Sequence, residues 1–500
     1  MIHVFVDRSI GKIVIETDDP SVKFLLEVTK QEAGYIPWKK QWGLIKTTTK
    51  IYDDKKPKPD GFGIWRFHIG LGFAAYIINV FKQYISMDDY NDVLSAIMSE
   101  SYREAPFPNL RDYQNEDALH LLKYKIGLFS CFTSYGKTEL IATLTNYFYG
   151  LGKKILIVTP GQKPRQEIEK RCKMRFGLDI PSSDGRIQSV ITSGLLNRND
   201  IKDPAGLKNL EADWASVDCL FVDEVEYTIN DSGKFIYDRV VHADHFYGFS
   251  GTADKQKGEM ISFANGLDDI IVRNKDLVKY FGPTLVYRMP LDLKIDNIRV
   301  KTNALNQVKF QPGDLDGSGN TYMTALTRIF TTPEVCKTIV KLGKKYPMMY
   351  LPMNNLESVI SEWVDNWFLG VFRILLICGE GYIYYDLQGN RTNLKTLEKA
   401  CEYVKNGLVD IIPSTSAGFR ALDLPGLETT FLAQGKAAGV VLQMVGRTAR
   451  GAHMNLISLE PNPKKKIPVY SKGMEGRDEM IHNYYKYCEI IDSEIFDINL

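Results

Sequence analysis

Thr133-Ser134-Tyr135-Gly136-Lys137-Thr138 stands directly after the β-rich run Ile126 to Cys131 and directly before Glu139-Leu140-Ile141-Ala142-Thr143-Leu144. Leu140, Ile141 and Leu144 share one face of a helix, so the context reads strand, loop, helix. A tight loop leading into a helix N-terminus aims backbone N–H groups at phosphate. Thr133, Ser134, Tyr135 and Gly136 would then cradle the phosphates of ATP. Lys137 would neutralise the β- and γ-phosphates, and Thr138 would ligate Mg2+. Cys131 stands where a glycine usually opens such a loop, and the competing reading is an ordinary buried turn.

Downstream, Asp223-Glu224-Val225-Glu226 ends the apolar run Cys219-Leu220-Phe221-Val222. Carboxylates at the C-terminal end of a strand sit where doubly wound sheets hold ligands. Asp223 could hold Mg2+ through water and Glu224 could polarise an attacking water; the alternative is an acidic surface turn. In the C-terminal half, Gln443, Gly446, Arg447 and Arg450 recur at i, i+3, i+4 and i+7, one face of a helix. Two guanidinium groups and an amide on one face, with a glycine permitting close approach, suit a phosphate, and an arginine finger stabilises charge on a transferring phosphoryl group. A solvated basic face is the other reading.

These groups need a scaffold, and the pattern supplies one. From Asn109 onward, short β-rich runs alternate with helix-length amphipathic segments: Ile126 to Cys131, Lys154 to Val158, Val190 to Thr192, Cys219 to Val222 and Phe246 to Ser250. A second series runs Met348 to Leu351, Ile374 to Cys378, Val409 to Ile412 and Thr429 to Leu432. Runs separated by crossovers imply parallel sheets with helices on both faces. Ahead of them, Ile2, Val4 and Val6 alternate, Ile13-Val14-Ile15 follows, and a helix is expected after Asp19-Pro20. Ala105-Pro106-Phe107-Pro108 reads as a linker. The expected fold class is α/β: two tandem parallel-sheet domains after a small α+β N-terminal domain, divided as 1–90, a linker 91–108, 109–260 and 261–500.

Composition narrows the class. A chain of 500 residues is too long for a single core. The formal net charge is +1, so a nucleic-acid footprint must be a local patch. The seven cysteines are scattered without a CxxC pair, which argues against a disulfide framework or a zinc site and suits a reducing cytoplasm. The N-terminus has no basic region followed by an apolar block, so no signal peptide is expected. The longest uncharged apolar stretch, around Phe67 to Phe81, is shorter than a spanning helix needs, so no membrane segment is expected. The segment Lys39 to Lys58 interleaves lysines with Trp42 and Tyr52, next to Trp38. It reads either as a surface for phosphates and exposed bases or as core tryptophans beside a solvated basic stretch.

In order along the chain, these strings resemble the superfamily-two helicases over roughly residues 109 to 460. Motif I is similar to Thr133 to Thr138, motif II to Asp223 to Glu226, and motif III to Ser250-Gly251-Thr252. Motif V resembles Arg420 to Pro425, including Asp423, and motif VI resembles Gln443 to Arg450. Leu110-Arg111-Asp112-Tyr113-Gln114 resembles the segment that reads adenine, with Gln114 on the base edge. Pro160-Gly161-Gln162 and Thr192-Ser193 stand where motifs Ia and Ib touch the nucleic-acid backbone. Tyr35-Ile36-Pro37-Trp38 and Trp42-Gly43 within a small N-terminal domain look most like the phage UvsW-type DNA helicases, which are related in activity to RecG-like fork-remodelling enzymes. The resemblance implies RecA-like motor domains, ATP and Mg2+ as cofactors, branched or forked DNA as partner, a monomer, and branch migration or fork regression as the activity. An RNA helicase, and a nucleic-acid-binding protein with an inactive ATPase fold, are the competing functions. Three departures stand out: Glu226 where many relatives carry His or Asp, Tyr135 in place of a small residue, and Ala421 in place of glycine.

Overall fold

The computed structural model describes residues 2–7, 12–36, 41–50, 52, 59–99, 103–131, 135–228, 230–237, 239–240, 243–250, 272–273, 284–291, 301–302, 308–309, 327, 329–346, 348–353, 356–415, 424, 426–433, 454–461 and 489–492. The alternating N-terminal runs form an antiparallel pair, β1 (Ile2–Asp7) and β2 (Lys12–Thr17), with Ile2 opposite Thr17. After Asp19-Pro20 comes the short helix Val22–Leu25. A hairpin of two ten-residue strands follows, β3 (Glu27–Ile36) against β4 (Gln41–Lys50), so part of the lysine-rich segment is strand. Trp38, Lys39, Lys40, Lys55, Lys56 and Lys58 lie outside the described residues. β5 (Trp65–Gly70) completes a three-stranded sheet in the order β1-β2-β5. The apolar stretch Phe67 to Phe81 divides between β5 and the helix Ala74–Val80, and both contribute to one core with Val4, Ile13, Ile15, Val93 and Ile97. No described helix is long and apolar enough to cross a membrane.

Two compact units emerge: residues 1–131 with 136–274, and residues 132–135 with 275–500. In the first, β6 (Ile126–Ser130), β7 (Ile155–Thr159), β8 (Ile187–Ile191), β9 (Cys219–Asp223), β10 (His245–Ser250) and β11 (Val272–Arg273) lie in the order β11-β6-β10-β9-β7-β8. Every described pairing is parallel. The inner strands β7 and β9 are fully buried runs, as in Ile155-Leu156-Ile157-Val158, as expected when helices cover both faces. The crossovers include the helices Lys137–Gly150, Gln162–Phe176 and Pro204–Ala215. Local chemistry sets their ends. Asp203 caps the last of these by accepting from the Gly206 N–H at 3.0 Å, and Pro204 opens it, where its missing N–H costs nothing. Gly177, left-handed at φ 68°, closes the helix Gln162–Phe176.

The N-terminal sheet is tied directly to the parallel one. The helix Met87–Ile97 runs through the point where the sequence suggested a linker. Beyond it, the Lys125 N–H donates to the Ile97 carbonyl at 2.7 Å and the Ser99 N–H to the Lys123 carbonyl at 2.9 Å. Tyr124 and Ile126 pack against the N-terminal core. The proline-containing stretch is pinned as well. Asn115 accepts from the Phe107 N–H at 2.5 Å and donates to the carbonyls of Phe107 and Leu110, both at 3.1 Å. Prolines 106 and 108 bring no backbone N–H, so a buried amide side chain supplies hydrogen bonding that the backbone cannot.

His245 opens β10 with its Nε2 3.2 Å from the Ser99 hydroxyl. Burial pushes its pKa down to about 4, reinforced by Lys153 and Lys125 and opposed by Asp244. The unfolded chain therefore takes up this proton first. Stability is unaffected above the ordinary histidine range and falls as pH drops from about 6.5 towards 4, by roughly 2 kcal/mol at pH 5. Urea titrations at pH 7 and pH 5 should show this loss in the wild type and a smaller one in His245→Gln. Equal losses in both proteins would mean that another group is responsible.

The second unit holds β12 (Thr284–Leu291), a small pair β13 (Lys301–Thr302) and β14 (Val308–Lys309), then β15 (Met349–Pro352), β16 (Ile374–Cys378), β17 (Gly381–Tyr385), β18 (Arg391–Asn393), β19 (Ile411–Ser414), β20 (Thr429–Leu432), β21 (Met454–Pro461) and β22 (Glu489–Asp492). All but the β13–β14 pair join one sheet among the described residues, ordered β18-β17-β16-β19-β15-β20-β21-β12-β22. From β16 to β22 the pairings are parallel, and β17 and β18 extend the edge antiparallel. The helix Pro333–Lys345 covers this sheet through Val335, Ile339 and Leu342, spaced i, i+4 and i+7. Both units therefore have the parallel α/β architecture expected of RecA-like domains, and within the first a small β-rich sheet precedes the parallel strands in the chain.

Candidate active site

The strand registers of the first unit bring the candidate residues to one end of the sheet. Ser130 is opposite Ser250, Phe249 is opposite Asp223, and Thr159 is opposite Ile191. Cys131, the Asp223-Glu224 step, Ser250, Pro160-Gly161 and Thr192 thus share the C-terminal edge, where parallel sheets bind ligands.

Gly136 is the residue that turns the chain into the helix Lys137–Gly150. Its φ of 98° is left-handed, and a Cβ there would lie 2.5 Å from Gln114 Nε2. The conformation requires glycine, and a larger residue would also displace the Gln114 amide. Gln114 is buried, and its Oε1 accepts from the Arg111 N–H at 3.0 Å, a capping interaction at the start of the helix Asp112–Leu121. The Arg111 guanidinium is held by the Tyr113 hydroxyl at 2.8 Å. The stretch that carries Gln114 is also fastened to the helix Lys137–Gly150, because Asn109 donates to the Thr143 hydroxyl at 2.6 Å and Phe107 packs edge-on to Tyr147. The sequence reading passed over Asn109 and Asn115. Their signal was a pair of amides just after a segment poor in backbone donors.

Lys137, the first residue of the helix, reaches across to Glu224, with Nζ 2.6 Å from Oε1. Glu224 follows β9 in a left-handed conformation, φ 46° and ψ 55°, uncommon for a residue with a Cβ. Such strain at a chemical group is held in place by its surroundings. Asp223 is buried beside the pair. Burial pushes its carboxyl up to about 7; Lys137 opposes that rise and the Glu224 charge adds to it. Cys131, the residue after β6, is also buried, and burial pushes its thiol well above its ordinary range. That makes it a packing residue and not a nucleophile.

Thr138 is half-buried in the first turn of the same helix. Its hydroxyl and the Asp223 carboxylate are hard oxygen donors of the kind Mg2+ takes. A carboxylate held in so costly an environment gains from a cation, so the residues fit the metal. Tyr135, the departure from a small residue, is fully buried. Thr133, Ser134, Asp423, Gln443, Arg447 and Arg450 lie outside the described residues, as do Gly251 and Thr252.

No family model and no curated protein matches the chain. Solved structures do. The chain is similar to UvsW of bacteriophage T4, at 13% identity over 98% of this chain and 99% of that one, with a TM-score of 0.37. It is similar to the Mycobacterium smegmatis helicase Lhr bound to ssDNA and AMP-PNP, at 14% identity and a TM-score of 0.42, over 77% of this chain and 48% of that one. It is also similar to Mss116p bound to ssRNA and AMP-PNP, at 14% identity and a TM-score of 0.48, over 78% and 75%. Similarity this distant leaves the function to be argued from the site itself.

Proposed function

We propose that this chain is an ATP-driven nucleic-acid motor of the superfamily-two helicase kind, and that its substrate is branched or forked DNA. The observation that carries the ATPase reading is the contact between Lys137 and Glu224. It joins the helix that would receive phosphate to the strand end that would activate water, beside a buried Asp223. In this reading the β- and γ-phosphates lie on the N–H groups at the start of the helix and take Lys137 as their counter-charge. Glu224, released from the lysine, orients the attacking water and accepts its proton. Thr138 and Asp223 would hold Mg2+, which, when bound, neutralises phosphate charge. Gln114 and Arg111 would receive the adenine, and the motif resemblance assigns the arginine-finger role to Arg447 or Arg450 and supporting roles to Gln443 and Asp423. The preference for branched DNA rests on the UvsW-type resemblance and on the lysine-rich N-terminal segment.

Steady-state hydrolysis measured with a synthetic fork, linear duplex, single-stranded DNA and RNA tests this. The fork should stimulate most. Strongest stimulation by RNA would replace the substrate with RNA. Hydrolysis that no nucleic acid stimulates would remove the motor, and no hydrolysis at all would leave a binding protein with an inactive ATPase fold.

A further inference from the structure

Glu139 is the third residue of the helix Lys137–Gly150, two positions beyond Lys137, and only 12% of its side chain is exposed. An acid in the first turn ordinarily suits a helix N-terminus. Here the same N-terminus has to receive a polyanion, so a bare carboxylate would compete with phosphate for the positive end. Two cations from another helix meet it. Arg171 Nη1 is 3.0 Å from Glu139 Oε2, and Arg175 Nε is 2.9 Å from Oε1. The spacing of four residues puts both arginines on one face of the helix Gln162–Phe176. One guanidinium sits on each carboxylate oxygen, and the trio carries a net charge of +1.

We propose that Arg171 and Arg175 are positioning residues for nucleotide binding: they cancel the Glu139 charge and keep the helix N-terminus attractive to the phosphates of ATP. This rests on the ATPase reading above. A simple staple between two helices would share the geometry but not the consequence. With the screening expected for partly exposed groups, one unit charge about 10 Å from another is worth roughly threefold in an equilibrium constant, so the two arginines together are worth about tenfold. Both arginines are partly exposed, so the effect should shrink as salt rises.

The test is ATP titration of hydrolysis by the full chain at low and high salt. Arg171→Gln with Arg175→Gln should raise KM for ATP about tenfold at low salt and leave kcat within about twofold. Glu139→Gln alone should not raise KM. Added to the arginine pair, Glu139→Gln should bring KM back to within about threefold of wild type, although the contact itself is then gone. An unchanged KM in the double variant, or a triple variant as impaired as the double, overturns the proposal. If the double variant does not fold, Arg175→Gln alone should raise KM severalfold, and Arg171→Lys with Arg175→Lys should keep KM low. No hydrolysis by the wild type would remove the ATPase reading and this inference with it; hydrolysis with a KM indifferent to these changes removes the inference alone.

Discussion

Lys137→Ala should lower kcat for ATP hydrolysis by several orders of magnitude while the protein still folds. Phosphoryl transfer is catalysed almost entirely by positioning and electrostatics, so losing the cation at the phosphates removes much of what the site provides. The described geometry adds a second loss. Lys137 is the group that opposes the rise in the Asp223 pKa, and without it the carboxyl is held protonated further into the neutral range. A protonated Asp223 is a poor partner for Mg2+. The fold should survive because Lys137 packs into no apolar core and its ion pair with Glu224 is partly solvated. Far-ultraviolet circular dichroism and the thermal midpoint check the fold, and a coupled phosphate assay checks turnover. Hydrolysis within about tenfold of wild type would end the phosphate-loop assignment.

Glu224→Gln should separate binding from turnover. The amide keeps the size of the side chain but cannot accept a proton from water, so hydrolysis should fall by about 10²–10⁴. Binding should persist or tighten, because phosphate no longer competes with a carboxylate 2.6 Å from Lys137. The charge that helps to raise the Asp223 pKa also disappears, which favours its ionised form. Nucleotide affinity measured by calorimetry, alongside single-turnover hydrolysis, reads both effects. Weak binding combined with normal turnover of the bound fraction would contradict the assignment of Glu224.

Much of the scaffold was legible because its signals are local. A buried parallel strand needs a short apolar run, and the runs ending near Ser130, Val158, Asp223 and Ser250 are strands in the structure. The strand-loop-helix context of Lys137 was legible for the same reason. The contact between Lys137 and Glu224 was not, because it joins residues 87 apart in sequence through the register of three strands. The left-handed conformation of Glu224 gave no sign either, since glycine usually marks such a position. The antiparallel extension by β17 was hidden in a tyrosine-rich segment whose turn, Gly379-Glu380, is brief. The start of a linker at residue 91 was misleading. Proline spacing suggests a break in secondary structure, yet nothing in it reveals that Asn115 pins the same stretch.

The shared wall between the N-terminal sheet and the parallel sheet governs how the chain can be cut. Tyr124 and Ile126 belong to the core of the first residues as much as to the strand they enter. A fragment trimmed to start at Asn109 would uncover that apolar surface and strip the backbone hydrogen bonds at Lys123 and Lys125 of their partners. Such a piece should clump at the bench for reasons unrelated to nucleic acid. Surface substitutions in an otherwise whole protein are therefore the cleaner way to ask whether the N-terminal sheet recognises nucleic acid.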